Sequence, residues 1–599
     1  MRPFFSHVIP FFLLPFAFAS DYHEQLNLRP LPQSSVLASF DFRSNTSLSQ
    51  FEAQNFRYFP RSLAQILQHV GTRELHLRFS LGRWDAESWG ARPWDGTKEG
   101  GTGVELWAWL EADTEEEADT KWLTLTNALS GLFCASLNFI DETRTTRPVM
   151  SFRPEGDHLE STLENMHLLH GVLPHEVVCT ENLTPFLKLL PCKGKAGISS
   201  LLDGHKLFDA SWQSMAIDIR PLCDEGQECV LQIEQTIDMV LDIERSKRPR
   251  DNPFPRPPPG HELKCNASKP YHSGDTCFPT DFVESPEWAL DQVFGKVMKG
   301  TCPLADPHVA PVCVQVPERR DIFVTSGATE FRNGDGLSRC YQIEPEADFA
   351  MILPRMSREG ENAKTIADET VQAETPLLYA ERSFTGRGQE KGGVQSILTN
   401  PSPNAEVEFI FMESLPWFMR IYLHTLQTRL EGTTEVKDDI VQEIYYRPAL
   451  DRARGTQLEL RMRIPPASTI FLTYDFEKSI LRYTEYPPDA NRGFDVAASI
   501  ITILPSTSPN APPARQRISN LRTTSLLLSL PTPDFSMPYN VIIFTSTAIA
   551  LAFGGLYNIL VRRFVAADEG PEASGLKAKL AALVQIVSAR LKAAKGKTE

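Results

Sequence analysis

The chain has 599 residues, ten cysteines and a formal net charge of −16 at pH 7. This length predicts more than one domain, and the acidic balance argues against nucleic acid as a partner. No C-x-x-C pair and no glycine-rich phosphate loop occur in the sequence. We therefore expect neither a structural zinc site nor a nucleotide site, and we expect no cofactor.

The first twenty residues, MRPFFSHVIPFFLLPFAFAS, predict a secretory signal peptide. Arg2 precedes an apolar run, and small residues near Ala19 provide a cleavage site. Because the run is short and interrupted by proline, we do not expect it to span a membrane. Residues 1–20 are therefore excluded from the fold.

Two kinds of apolar spacing alternate along the next part of the chain. Apolar residues recur at helical spacing in 61–70 and 119–136, and they occupy every second position in 75–81, 104–112 and 229–243. The first pattern predicts helices, and the second predicts half-buried strands.

The tetrad HLLH at 167–170 suggests two histidine ligands for a metal. We expect a half-buried helix face there instead, since no further ligand pattern accompanies the tetrad.

A proline-rich segment, KRPRDNPFPRPPPG at 247–260, interrupts this order. Six prolines leave few backbone donors for a helix or a sheet, so we interpret the segment as a solvated insertion. Farther along, apolar residues alternate in 407–411, 458–464 and 470–476, which predicts strands. Residues 356–395 are polar and rich in glycine, and we expect a mobile loop there.

These patterns predict a mainly β (α+β) body with β-sandwich-like domains. We place an N-terminal β-rich domain with helical additions at 21–345 and a C-terminal β-rich domain at 346–530. The sequence shows no repeat of 20–50 residues, so we do not expect a propeller or solenoid.

The cysteines all lie between Cys134 and Cys340. In a secreted compartment disulfides are the default state, and the close pairs Cys223 with Cys229 and Cys265 with Cys277 are candidates for local bridges. Spacing alone does not fix the connectivity. Cys134 stands beside the apolar face of the predicted helix 119–136, so we expect it to be a buried free thiol.

Three triplets match the acceptor for N-glycosylation, at Asn45, Asn182 and Asn266. Each is a candidate because the chain is expected to enter the secretory pathway. Pro185, just after the second triplet, would reduce its use.

The segment 541–561 contains 21 residues without a charge, which is long enough to cross a bilayer. Arg562 and Arg563 follow directly and predict a cytosolic C-terminus. The sequence thus predicts a single-pass type I membrane protein. In the tail, 562–599, apolar residues from Leu576 to Leu591 share one helical face beside lysines and Arg590, a pattern typical of a helix on an anionic leaflet.

The strongest catalytic candidate is a dyad of His175 and Cys179. On a helix the two side chains would share a face, but Val177 and Val178 favour a strand, in which these positions lie about 13 Å apart. No local sequence provides an oxyanion hole. We therefore predict a membrane-anchored binding or assembly protein. Two alternatives stay open, a hydrolase that uses this dyad and a glycoprotein-binding or receptor module whose loop Trp84–Trp94 stacks on sugars.

Several long strings resemble the PIG-T subunit family of the GPI transamidase, the complex that attaches glycosylphosphatidylinositol to proteins in the endoplasmic reticulum. They are SGLFCASLNFID (130–141), LPHEVVCTENLTPFLKLLPCKGKAG (173–197), PWFMRIYLHTL (416–426), LRYTEYPPDANRGF (481–494) and LPTPDFSMPYN (530–540). The loop Gly82–Gly90 with its two tryptophans is similar as well. The chain departs from the family in 247–260 and 356–395, and Phe186 stands where the family often has tryptophan.

The resemblance implies a β-rich lumenal body on one transmembrane helix, in a non-catalytic subunit. It implies that a cysteine-protease-like subunit performs the chemistry and that this family stabilises it, partly through an intersubunit disulfide from Cys179. Other membrane subunits are expected partners, with GPI lipid and proprotein substrate bound through the complex. If Cys179 bridges outward, nine cysteines remain, and Cys134 is the candidate for the unpaired one.

Overall fold

The computed structural model describes residues 21–158, 163–223, 228–247, 287–318, 320–332, 337–354, 374–386, 388, 390–433, 435–437, 439–487, 489–506, 518–531, 536–561 and 576–595. The predicted signal peptide at 1–20, the proline-rich segment from 248 onward, Cys265, Cys277 and Asn266 lie outside these residues. The chain forms two compact units, a body, Met1–Pro531, and a tail, Thr532–Glu599.

The strands of the described residues, in chain order, are β1 (Tyr22–Leu31), β2 (Ser35–Ser47), β3 (Thr72–Gly82), β4 (Gly103–Glu111), β5 (Thr145–Thr146), β6 (Met166–Leu173), β7 (Trp212–Leu222), β8 (Val230–Asp242), β9 (Trp288–Ala289), β10 (Val312–Gln315), β11 (Phe323–Val324), β12 (Thr329–Arg332), β13 (Ser338–Gln342), β14 (Met351–Leu353), β15 (Tyr379–Thr385), β16 (Lys391–Asn400), β17 (Val407–Leu415), β18 (Met419–Leu430), β19 (Val441–Arg447), β20 (Thr456–Ile464), β21 (Ser468–Lys478), β22 (Phe494–Val496), β23 (Ile500–Ile503), β24 (Ser519–Arg522) and β25 (Leu526–Leu528).

The α-helices of the same residues are α1 (Leu48–Glu52), α2 (Arg61–Val70), α3 (Ala86–Trp89), α4 (Glu115–Phe133), α5 (Thr180–Leu189), α6 (Gly204–Leu207), α7 (Ile243–Ser246), α8 (Leu290–Phe294), α9 (Ser536–Val561) and α10 (Leu576–Lys595). Short 3₁₀ turns lie at Pro93–Gly96, Leu137–Phe139, Ile198–Leu201 and Tyr483–Glu485.

An eleven-stranded sheet organises the first part of the described body. Its order is β12-β13-β10-β1-β2-β8-β7-β3-β4-β6-β5, and its neighbours are antiparallel except β1 and β10. Successive side chains of β3 lie on opposite faces of the sheet. Leu75, Leu77 and Phe79 enter the main apolar core on one face, whereas His76 and Arg78 are buried on the other face.

A layer of helices covers the apolar face. Helices α2, α4 and α5 bury Leu67, Leu129 and Phe186 in the same core as the strands. Helix α4 begins where Thr114 accepts a hydrogen bond from Glu117 N at 3.2 Å, and its acidic first turn suits the helix dipole. The segments with amphipathic spacing are helical here because their apolar faces pack against the apolar face of the sheet.

The second part of the body is a sandwich. One sheet has the order β15-β16-β21-β18, and the other has the order β19-β20-β17-β23-β24. Side chains from both sheets, including Leu398, Phe411, Leu460 and Leu472, share a separate apolar core. Small sheets of β11-β14-β9 and β22-β25 complete the described strands. The strand-rich body confirms the predicted mainly β fold.

The tail contains α9, in which Tyr539–Val561 is long and apolar enough to cross a membrane. It is the single such helix among the described residues. Helix α10 covers the predicted amphipathic segment.

Three predictions of secondary structure are wrong. The tetrad 167–170 lies in strand β6 rather than in a helix, because its backbone pairs with β4 over its whole length. The predicted loop at 356–395 contains β15 and the beginning of β16, where polar residues occupy the outer positions of a sheet. Val177 and Val178 lie outside any strand, in the connection that enters α5.

Candidate functional site

The residues before α5 place Cys179 at the surface. After β6 ends at Leu173, Glu176 N donates to Leu173 O at 3.2 Å and closes a turn. Val178 then inserts into the core and is 3% exposed, while Cys179 has an extended backbone and is half-buried. Cys179 is therefore the residue at which the chain leaves the turn and begins the helix.

The side chain of Asn182 fixes this beginning. Its Oδ1 accepts from the backbone N–H of Cys179 at 2.8 Å. Its Nδ2 donates to the carbonyl oxygens of Phe133 and Cys134 at 3.0 and 3.2 Å. One amide thus joins Cys179, the residue that precedes α5, to the last residue of α4 and the one after it, and Asn182 itself is 1% exposed.

Cys134 is exposed and not disulfide-bonded, so the prediction that it is buried is wrong. Helix α4 ends one residue earlier, and Cys134 adopts a left-handed conformation with φ of 52° and ψ of 41°. This turn takes the side chain away from the apolar face that the helical spacing had assigned to it. Cys134 and Cys179 are the two free cysteines of the described residues.

His175 does not pair with Cys179. Its ring lies 2.7 Å from Arg492 Nη1 and 3.0 Å from Asp495 Oδ2, and its side chain is 64% exposed. These contacts attach the turn to strand β22 and the residues just before it. They give no support to a thiolate–imidazole dyad, for which a His–Cys hydrogen bond is required.

Six other cysteines among the described residues form disulfides. Cys223 pairs with Cys229, one of the candidate local bridges, with Cα atoms 4.3 Å apart. Cys313 pairs with Cys340 across β10 and β13. Cys192 lies just after α5, the helix that Cys179 precedes, and it pairs with Cys302 over a separation of 110 residues. The two cysteines of the motif 173–197 are therefore not each other's partners.

The glycosylation candidates differ in their surroundings. Asn45 lies in β2, where its Oδ1 accepts from Gln232 at 3.1 Å and the residue is half-buried. Asn182 is buried, and both hydrogens of its Nδ2 are used inside the protein.

The aromatic loop that the receptor alternative assigns to sugar stacking is largely internal. Trp84 and Trp89 are 3% and 8% exposed and pack with Trp212 beneath the loop. Trp94 is half-buried and donates to Asp238 at 3.2 Å. The interpretation that the loop Trp84–Trp94 stacks on sugars is therefore wrong for Trp84 and Trp89, which are buried.

Buried charges connect the large sheet with the sandwich. Arg522 Nη2 in β24 lies 2.9 Å from Glu105 Oε1 in β4, and both side chains are nearly inaccessible. Burial alone would raise the pKa of Glu105, but Arg522 and His170 outweigh burial and hold this pKa well below its usual range. Glu459 accepts the backbone N–H groups of 149–151 at 2.7–2.8 Å and adds a second connection.

A second buried group centres on His76. Burial would lower the pKa of His76, but Glu155, Asp218 and Glu74 outweigh it and raise this pKa to about 9. His76 lies 2.5 Å from Asp218 and 2.7 Å from Glu74, and its ring stacks on Trp107. Since every charge in this group is met by an opposite one, the arrangement is that of a structural network. No group of metal-ligating side chains occurs in the described part of the chain.

Comparison with known proteins identifies the family. The model of the family described as "Gpi16 subunit, GPI transamidase component" matches residues 7–587. This chain belongs to the Gpi16 family. It is 39% identical to the GPI transamidase component GPI16 of Saccharomyces cerevisiae, over 93% of this chain and 92% of that protein.

Other relatives of the Gpi16 family match with similar coverage. The PIG-T homolog of Schizosaccharomyces pombe is 36% identical over 91% of this chain and 90% of its own. The human GPI-anchor transamidase component PIGT is 33% identical over 94% and 93%. Among solved structures, the collagen-binding subdomain ACE19 of Enterococcus faecalis matches 26% of this chain and all of its own at 12% identity, with a TM-score of 0.18. That similarity is too low to carry an argument.

The structure shows how two Gpi16-family strings meet. The string SGLFCASLNFID ends α4 and forms the turn after it, and the string LPHEVVCTENLTPF forms the entry to α5. They contact each other through Asn182 and through Ser136 N, which donates to Glu176 at 2.8 Å. Sequence reasoning selected Cys179 but missed Asn182 as its support. The available signal was an asparagine three residues into a helix, where its side chain can reach back to the helix start.

Proposed function

We propose that this chain is the non-catalytic scaffold subunit of a GPI transamidase in the endoplasmic reticulum membrane. In this role it stabilises a cysteine-protease-like catalytic subunit, and Cys179 forms a disulfide with that subunit. Membership of a family of transamidase components supports a place in a multi-subunit complex. The candidate membrane helix supports a membrane anchor.

The observation that carries this proposal is the state of Cys179. Six described cysteines are paired within the chain, whereas Cys179 is a free, half-buried thiol at the start of a helix. A thiol in this position can form a bridge to another chain without breaking an internal one. The contacts of His175 with Arg492 and Asp495 favour this role over a hydrolase.

The remaining assignments belong to the same proposal. The body, with domains at 21–345 and 346–530, lies in the lumen, and the C-terminal tail lies in the cytosol. Asn45 and Asn266 are the proposed glycan carriers, and Cys265 is the proposed partner of Cys277. GPI lipid and proprotein substrate are met through the assembled complex.

Affinity purification in mild detergent, followed by gels with and without reductant, tests the proposal. The wild-type chain is expected to migrate with its cysteine-protease-like partner as one covalent species that reductant separates. Cys179→Ser should abolish this species and lower transamidase activity, while the non-covalent complex is still recovered. Cys134→Ser is the matched control, since it removes the other free thiol and should preserve the covalent species. A covalent species that persists in Cys179→Ser would contradict the assignment.

A further inference from the structure

Asn182 combines two features that ordinarily exclude one another. It is the acceptor residue of an Asn-Leu-Thr triplet, and it is 1% exposed with its amide fully engaged. A glycan is attached through Nδ2, and the linked nitrogen retains a single hydrogen. In this structure Nδ2 donates two hydrogen bonds, to Phe133 O and Cys134 O. A glycosylated Asn182 could not make both.

The two carbonyls are at the end of helix α4, where no further turn of the helix supplies donors. Cys179 N is likewise at the start of α5 and finds its acceptor in Asn182 Oδ1. The amide therefore satisfies groups from two helix ends at once. Loss of the side chain would leave the buried Phe133 O and the part-buried Cys134 O and Cys179 N without this partner, which is costly.

We propose that Asn182 is the positioning residue of Cys179 and that it is unmodified in the folded protein. It fixes the backbone of Cys179 against the end of α4, so that the thiol is presented from a rigid surface to the partner chain. This proposal rests on the proposed role of Cys179 in an intersubunit disulfide. The amide is needed for positioning, and glycosylation at the same atom is incompatible with it.

Three variants of the full-length protein separate positioning from other effects. Asn182→Ala removes the amide and the acceptor triplet together. Thr184→Ala removes the triplet and keeps the amide, and Thr184 is exposed. Leu183→Ala removes a buried side chain, 4% exposed, from the same turn of the helix and therefore loosens the core while it keeps the amide.

The readout is the fraction of recovered protein that is covalently linked to its partner on non-reducing gels. Asn182→Ala should lower this fraction about five-fold, the change expected when the one of its three hydrogen bonds that holds Cys179 N is lost and has average strength. Thr184→Ala and Leu183→Ala should preserve the fraction, although Leu183→Ala should lower the amount of protein recovered. An unchanged fraction in Asn182→Ala, or an equal fall in Leu183→Ala, would overturn the positioning role.

Endoglycosidase digestion and peptide mass analysis decide the modification separately. Thr184→Ala should carry the same number of glycans as the wild type, and the peptide with Asn182 should be recovered without a glycan scar. Loss of one glycan in Thr184→Ala would overturn the unmodified state. If the wild type shows no Cys179-dependent covalent species, the proposed function and the positioning role both fail, whereas the glycan result still stands by itself.

Discussion

At the scale of single residues, burial raises the pKa of several carboxyl groups whose side chains point into the protein from strands. Asp238 in β8 is 1% exposed and accepts a hydrogen bond from Trp94. Burial raises its pKa to about 7, against the opposing effect of hydrogen bonds from Ser39 and Trp94. A carboxyl of this kind is neutral in the folded protein at pH 5 and ionised at pH 9.

The consequence is a loss of stability as the pH rises. Unfolded Asp238 ionises near pH 4 and folded Asp238 near pH 7, so the loss develops between these values and is complete above about pH 7. Asp238→Asn should therefore be more stable than the wild type at pH 8.5, by up to about 4 kcal/mol at about 1.4 kcal/mol per pKa unit. The difference should shrink towards pH 5.

Thermal denaturation of the purified chain in detergent, at intervals from pH 5 to pH 9, measures this dependence. Glu244→Gln is the control, because it removes an exposed carboxylate from the neighbouring helix α7. If the stability difference between Asp238→Asn and the wild type stays constant across this pH range, ionisation of Asp238 is not its cause.

At the scale of elements, helix α4 shows how one amphipathic segment connects the sheet with the site. Leu125 and Leu129 are fully buried against the sheet, whereas Leu123 on the same helix is 37% exposed. The end of α4 then supplies the carbonyls to which Asn182 donates. The placement of Cys179 thus depends on the packing of a helix more than forty residues earlier in the chain.

Leu129→Ala should destabilise the body by about 2–5 kcal/mol, because it removes a buried side chain and leaves a cavity. Leu123→Ala, the matched variant at a partly exposed position of the same helix, should cost less than about 1 kcal/mol. Denaturant unfolding of both variants gives the comparison. Equal destabilisation would mean that the burial of Leu129 contributes nothing beyond helix propensity.

At the scale of the whole molecule, the body and the tail are separate compact units. Within the body, the ion pair of Glu105 with Arg522 joins the large sheet to the sandwich. Within the tail, Tyr539–Val561 meets the length and hydropathy required to cross a bilayer. Membrane attachment is therefore expected to reside in the tail.

A chain that ends at Pro531 should be released from membranes by alkaline carbonate and should accumulate as a soluble protein. A chain that ends at Val561 retains the apolar helix and should resist extraction as the full-length chain does. Fractionation of expressing cells, with immunoblots of pellet and supernatant, distinguishes the two. Retention of the chain ending at Pro531 would reveal a second means of membrane attachment within the body.

Much of the fold could be predicted where the periodicity was long. The helices at 61–70 and 119–136 and the strands at 229–243, 458–464 and 470–476 are confirmed within one or a few residues. Short segments were harder, since four residues such as HLLH satisfy a helix and a buried strand equally well, and only pairing with β4 decides between them.

The sequence by itself determined the family, the mainly β class and the candidate membrane helix, because these depend on composition, long-range periodicity and extended motifs; the choice of Cys179 followed from the family resemblance. The tertiary structure alone decided the partner of Cys192, the exposure of Cys134 and the hydrogen-bond partners of Asn182. Each of these depends on contacts between residues far apart in the chain, such as Cys192 with Cys302 and Asn182 with the end of α4. Local spacing does not encode such contacts, since they exist only after the sheet and its helices have packed together.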